Sequence, residues 1–147
     1  ERPVSYMAKI ELFENPIFGA AIRRCHAFPV KRGASDRGAI KAAVAVLKEG
    51  RILGLFPEGT RSKTGELQKA EAGVALIAAM TGAPIVPVAI LNTHRIFANG
   101  GLIPQLRIMY GEPITFHGDR KSKESLDAFS EEIMGHIARM KEELAQK

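Results

Sequence analysis

Tryptophan is absent from this chain, tyrosine occurs twice and cysteine once, at Cys25. A single cysteine excludes an intrachain disulfide and a zinc site built on cysteines, and it makes a reducing, cytosolic setting the default. Cys25 closes an apolar helical stretch and has no acidic partner in sequence, so a buried, unreactive thiol is expected there. With so few aromatics, and no Lys/Arg cluster interleaved with them, a nucleic-acid partner is not expected. No apolar run approaches the roughly 18 residues that span a bilayer, and Glu1-Arg2-Pro3 does not open a signal peptide. No G-x-x-x-x-G-K-[ST] string occurs and no G-x-G-x-x-G follows a strand, which removes the phosphate-cradling loops of nucleotide-binding proteins. No His, Asp or Glu cluster has ligand spacing, so neither a metal nor a bound cofactor is expected.

What is present fits one globular domain over residues 1–147, with 46% hydrophobic and 25% charged residues and no internal repeat. The net charge of +5 suits an anionic partner such as a phosphorylated substrate or an acidic membrane surface.

Apolar spacing supplies the elements. Val4 to Ala8 reads as a strand. Asn15-Pro16 reads as a cap and first residue of a helix over about 16–25, with Ile17, Phe18, Ala21 and Ile22 on one face. Ala27 to Val30 is a strand that Pro29 confines to an edge or makes irregular. Ser35 or Asp36 can cap a helix carrying Ile40, Ala43, Val44 and Leu47, stopped at Gly50. The continuous run Ile52 to Phe56 predicts a strand buried on both faces. A helix from about Ala72 to Met80 stops at Gly82, and strands follow at Pro84 to Ile90 and Gln105 to Tyr110. A long helix over about 122–146 aligns Leu126, Phe129, Ile133, Ile137, Met140 and Leu144 in a stripe that docks on a sheet. The alternation predicts an α/β domain with a central, mostly parallel or mixed sheet flanked by helices, and places chemistry at the carboxyl ends of strands.

The loop after Phe56 is the densest in polar groups. Gly59 permits close backbone approach, Thr60 and Ser62 offer hydroxyls, and Arg61 presents a fork of donors that matches phosphate oxygens. Glu58 would repel phosphate, so its carboxylate is expected to hold a donor in place or to meet a substrate hydroxyl. The loop after Val30 repeats the logic with Lys31, Arg32 and Gly33, and Arg32 is a candidate second phosphate contact.

Phe56-Pro57-Glu58-Gly59-Thr60-Arg61-Ser62 resembles the substrate-binding block of the glycerolipid acyltransferases, most closely those that acylate 1-acyl-glycerol 3-phosphate. Phe28 to Gly33 is similar to that family's arginine block, Val86-Pro87-Val88-Ala89-Ile90 to its proline block, and Lys9 with Glu11-Leu12-Phe13 to its preceding segment. The resemblance runs collinearly over roughly residues 3–116. It implies a reaction in which the free hydroxyl of lysophosphatidic acid attacks the thioester of acyl-CoA or acyl carrier protein, giving phosphatidic acid for phospholipid synthesis. It also implies that Glu58, Gly59, Thr60 and Arg61 hold the glycerol phosphate with help from Arg32, while Pro57, Ser62 and Pro87 shape the site. The enzyme would work at the cytoplasmic face of the membrane.

The family's general base belongs to a His-x-x-x-x-Asp motif, and no such motif occurs here: His26 is followed at that offset by Lys31, His94 by Asn99, His117 by Ser122 and His136 by Lys141. In the family the motif precedes the Lys9 to Phe13 segment, so the base is expected upstream of Glu1 and no catalytic residue is assigned within the chain. The 147 residues alone are therefore predicted to be inactive, with apolar sheet surface uncovered and stability marginal or self-association favoured. The alternatives are a phosphate- or phospholipid-binding fragment without turnover, and acylation of glycerol 3-phosphate or another lysolipid.

Overall fold

The first strand, β1 (Val4–Lys9), pairs in parallel with β2 (Ala27–Val30) on one side and with β3 (Ile52–Gly54) on the other. The computed structural model describes residues 2–30, 37–59, 66–92 and 106–146. These fall into two compact units, Glu1–Leu55 and Phe56–Lys147, and each has its own sheet.

In the first unit the strand order is β2-β1-β3, with Tyr6 opposite Ala27 and Gly54. A 3-10 turn, η1 (Ile10–Phe13), and α1 (Pro16–Arg24) connect β1 to β2, and α2 (Arg37–Lys48) connects β2 to β3. Parallel neighbours require such crossovers, because a tight hairpin can only reverse the chain. Asn15 starts α1 as expected: its side-chain oxygen accepts from the amides of Ile17 and Phe18, both at 3.0 Å, while Pro16 occupies a position where an amide would have no partner. The guanidinium of Arg23 lies 4.8 Å from the centroid of the Phe13 ring and so covers one of the few buried side chains of this region. Helix α2 buries Ala43, Val44 and Val46. Pro29 sits in β2, an edge strand among the described residues, where a missing donor costs least.

Two expectations change here, and a third falls outside the described residues. The strand predicted over Ile52 to Phe56 is only Ile52–Gly54, with Ile52 40% exposed, so it is not buried on both faces. Among the described residues β3 has a partner on one side only, and the chain leaves the strand for a turn. Cys25, expected to be buried, is exposed: it is the C-cap of α1, where its amide donates to Ala21 O. The residues proposed to cap α2, Ser35 and Asp36, lie outside the described residues.

In the second unit β4 (Val88–Leu91) and β5 (Arg107–Tyr110) run antiparallel, with Val88 opposite Tyr110 and Leu91 opposite Arg107. The strand expected from Pro84 begins only at Val88. Pro84 and Pro87 have no amide to donate, and between them Ile85 makes a single isolated bridge to Ile114. Helix α3 (Gly73–Thr81) stops at Gly82, whose φ of 67° is the left-handed cap conformation.

Helix α4 (Lys123–Gln146) buries Phe129, Ile133, Ile137, Met140 and Leu144, the stripe read from the sequence, with Leu126 partly buried. Two of these residues pack with Ala89 under the sheet, and the other three with Ala75 and Ala78 of α3. Each such side chain contributes about 1.5–3 kcal/mol by leaving water. Phe116 meets Phe129 edge to face at 5.3 Å. At the far end, Arg107 donates to Leu144 O at 3.1 Å, a cation at the negative end of the helix. The other face of β4 and β5 leaves Ile90 37%, Ile108 50% and Tyr110 72% exposed.

Candidate functional site

Phe56 to Gly59 forms a turn closed by the Gly59 amide on Phe56 O at 3.0 Å. The residue types suit it: Pro57 presets the backbone at the second position, and Gly59 at the fourth has a φ of 63°. Phe56 is 70% exposed, so the turn is not held by burial of its ring.

Hydrogen bonds to the returning chain hold it instead. The Gln68 amide donates to Glu58 Oε2 at 2.9 Å, and the Glu71 amide donates to Pro57 O at 2.8 Å. Between Glu66 and α3 the returning segment is itself anchored, because Leu67 packs against the cluster of Ala75, Ala78, Phe129, Ile133 and Ile137. A Cβ on Gly59 would lie 2.7 Å from Glu71 Cγ, so the two segments approach closely. The chain on either side of residues 60–65 is thus tied together at two points and fastened to the core at a third.

Of the residues expected to form the site, Pro57, Glu58 and Gly59 are in this turn, and Glu58 holds a donor group as one of its two expected roles. Thr60, Arg61, Ser62 and Arg32 lie outside the described residues, as do Lys31, Gly33 and His94. Pro87 is less than 2% exposed, and its carbonyl accepts from the Gly111 amide at 2.9 Å. Its ring is therefore a core element at the head of β4. His26 and His117 are exposed and His136 is half-buried on α4. Gln68, Glu71 and Leu67 escaped the sequence reading. The first two act through backbone amides, which leave no side-chain signature, and only the apolar Leu67 amid polar neighbours could have drawn attention.

The sheet of the first unit adds one relation. Because β1, β2 and β3 are parallel, Val30 and Gly54 both end at the carboxyl edge, one strand apart. Adjacent strands are separated by about 4.8 Å and Val30 lies level with Lys9 but Gly54 with Tyr6, three residues earlier, so the two ends lie about 14 Å apart across β1. Among the described residues no three His, Cys, Asp or Glu side chains gather as metal ligands, and no helix is long and apolar enough to cross a membrane.

A family model described as acyltransferase matches residues 1–91. The chain is 36% identical over 148 residues to the 1-acyl-sn-glycerol-3-phosphate acyltransferase of Bacillus subtilis (strain 168), an alignment covering 97% of this chain and 71% of that protein. It is 36% identical over 145 residues to the enzyme of the same name from Streptococcus pneumoniae (strain ATCC BAA-255 / R6), covering 96% of this chain and 52% of that protein. The crystal structure of the 1-acyl-sn-glycerophosphate (LPA) acyltransferase PlsC from Thermotoga maritima superposes with a TM-score of 0.71 at 30% identity, covering 99% of this chain and 58% of that one. The chain spans only part of the length of each of these relatives.

Proposed function

Since the chain belongs to the PlsC family of acyltransferases and has that family's α/β fold, we propose that it acts on 1-acyl-glycerol 3-phosphate, transferring an acyl group from acyl-CoA or acyl carrier protein to give phosphatidic acid. The observation that carries this reading is the braced turn at Pro57, Glu58 and Gly59, which leads directly into Thr60 and Arg61. Arg61 offers a planar fork of donors to the phosphate oxygens, Thr60 and Ser62 offer hydroxyls, and Arg32 supplies a second cation.

The chemistry is catalysis by positioning. Anchoring the phosphate presents the free hydroxyl of the lysolipid to the thioester carbonyl carbon. The new ester C–O bond forms as the C–S bond breaks, and the hydroxyl proton passes by way of a base to the departing thiolate, which leaves as the free thiol of CoA or the carrier protein. The membrane surface would present the lysolipid, and the net charge of +5 favours approach to anionic headgroups at its cytoplasmic face.

One observation favours a second reading for these 147 residues alone: no His-x-x-x-x-Asp occurs among them. On that reading the chain binds the phosphorylated lipid and does not turn it over. Incubating the purified chain with labelled acyl-CoA or acyl carrier protein and competing acceptors separates the possibilities. Phosphatidic acid formation with lysophosphatidate preferred over glycerol 3-phosphate supports the transferase. Saturable lysophosphatidate binding without product supports the binding module. Neither product nor binding overturns both.

A further inference from the structure

We propose that α1 is a membrane-docking helix: Ile17, Phe18 and Ala21 enter the interface of an anionic bilayer, and Arg24 meets its headgroups. The proposal rests on the membrane setting of the reading above and names the surface of this chain that makes the contact.

Helix α1 turns its apolar residues outward. Of the nine residues Pro16–Arg24 only Gly19 is buried. A Cβ on Gly19 would lie 2.9 Å from Phe13 O, so this is the side on which the helix rests against the chain. With about 3.6 residues per turn, Ile17, Ala21 and Arg24 fall on the opposite side and Phe18 on its flank. Ile17 is 84% exposed and Phe18 50%, and Ala21 and Arg24 are exposed as well. Leu12, in the turn that leads to the helix, adds a further apolar side chain at 42%. Arg23 is held over the Phe13 ring, which leaves Arg24 as the cation at the end of the outward line. The apolar stripe of α4, by contrast, packs into the core.

Charge identifies the partner. The unit Glu1–Leu55 has ten Lys and Arg against five Asp and Glu, whereas Phe56–Lys147 has eleven of each, so the whole net charge of +5 belongs to the unit that carries α1. The helix itself has Arg23 and Arg24 and no acidic residue, while Lys9, Glu11 and Glu14 precede it. An exposed apolar line closed by a cation fits a bilayer interface: the apolar side chains leave water, and the long arginine stem lets its guanidinium reach lipid phosphates. At nine residues the helix is about 14 Å long, too short to cross a bilayer and suited to lie along its surface. A second copy of this unit would bring like charges together and fits less well.

The test is cosedimentation of the 147-residue chain with vesicles of phosphatidylcholine and phosphatidylglycerol, free of lysolipid, beside vesicles of phosphatidylcholine alone. Ile17→Glu puts a carboxylate on the outward line but in the first helical turn, where it suits the dipole and the fold is kept, as circular dichroism checks. Ala45→Glu, at an exposed position of α2, makes the same change of charge elsewhere in the unit. The expected result is preferential binding to the anionic vesicles, weakened at least about tenfold by Ile17→Glu, about fivefold by Arg24→Ala and far less by Ala45→Glu. Because the chain has no tryptophan, Phe18→Trp supplies a single fluorescent reporter, which brominated acyl chains should quench. Equal weakening by Ile17→Glu and Ala45→Glu would assign the attraction to diffuse charge and overturn the proposal. An unquenched reporter on bound vesicles overturns it as well. So does a chain that dimerises through Ile17 while its vesicle binding ignores that residue. Failure of the substrate reading is distinguishable: lysophosphatidate dispersed in detergent would then neither bind nor be acylated, while vesicle binding still depended on Ile17 and Arg24.

Discussion

Replacing Gly59 by alanine isolates how tightly the candidate site is built. Gly59 and Gly82 belong to the same compact unit and both have a positive φ, 63° and 67°. A side chain in that left-handed conformation costs about 1–2 kcal/mol at either position. Around Gly82 a new Cβ meets nothing within 4 Å, whereas at Gly59 it lies 2.7 Å from Glu71 Cγ and 3.3 Å from Glu71 Oε1. Glu71 is exposed and can move, but moving it off a favoured rotamer while its amide stays on Pro57 O costs about 1 kcal/mol more. Urea denaturation followed by circular dichroism should therefore show Gly59→Ala less stable than Gly82→Ala by about 1 kcal/mol. Glu71→Ala in the Gly59→Ala background should recover that difference, giving a positive coupling in the double-mutant cycle. Equal losses for the two glycine variants, or no coupling with Glu71, would refute the close approach of the two segments.

The core and the head of α4 give two further expectations. Ile133 is 2% exposed at the centre of the α3–α4 cluster, so Ile133→Ala should cost about 2–5 kcal/mol by chemical denaturation, against less than about 0.5 kcal/mol for an exposed position such as Asp127→Ala. Glu124 has its carboxyl pKa held below the ordinary value, first by a backbone hydrogen bond at its own position and then by the Ser122 hydroxyl, which donates to Glu124 Oε2 at 2.9 Å. A depressed folded-state value means that its contribution to stability is present above the unfolded-state pKa and is lost as pH falls through the folded one. A carboxyl NMR titration should place its midpoint below that of an ordinary glutamate, and Ser122→Ala should move it upward; an unmoved midpoint would contradict the cap.

Much of this was legible where a physical period or a cap writes itself into the residues. The stripe from Leu126 to Leu144 repeats every three or four positions and could only dock as a helix face, and Asn15-Pro16 could only open a helix. Pro29 marked an edge correctly for want of a donor. The run Ile52 to Phe56 misled because apolar residues report burial somewhere, not how many strands flank them, and Phe56 belongs to a turn. The prolines at 84 and 87 should have shortened β4, since each removes an amide from any ladder. In the site, the polar run after Phe56 announced a loop and Gly59 a close approach, yet the partner segment was invisible: Gln68 and Glu71 contribute amides that any residue but proline would contribute.

The phosphate role of the block after β3 is tested most directly by binding of lysophosphatidate and of the matching monoacylglycerol, which lacks the phosphate, to the unsubstituted chain and to Arg61→Ala. The expected result is saturable binding of lysophosphatidate alone, weakened at least about tenfold by the loss of a bidentate charged contact. Equal binding of the two lipids, or an Arg61→Ala chain that binds lysophosphatidate as the unsubstituted one does, would contradict it.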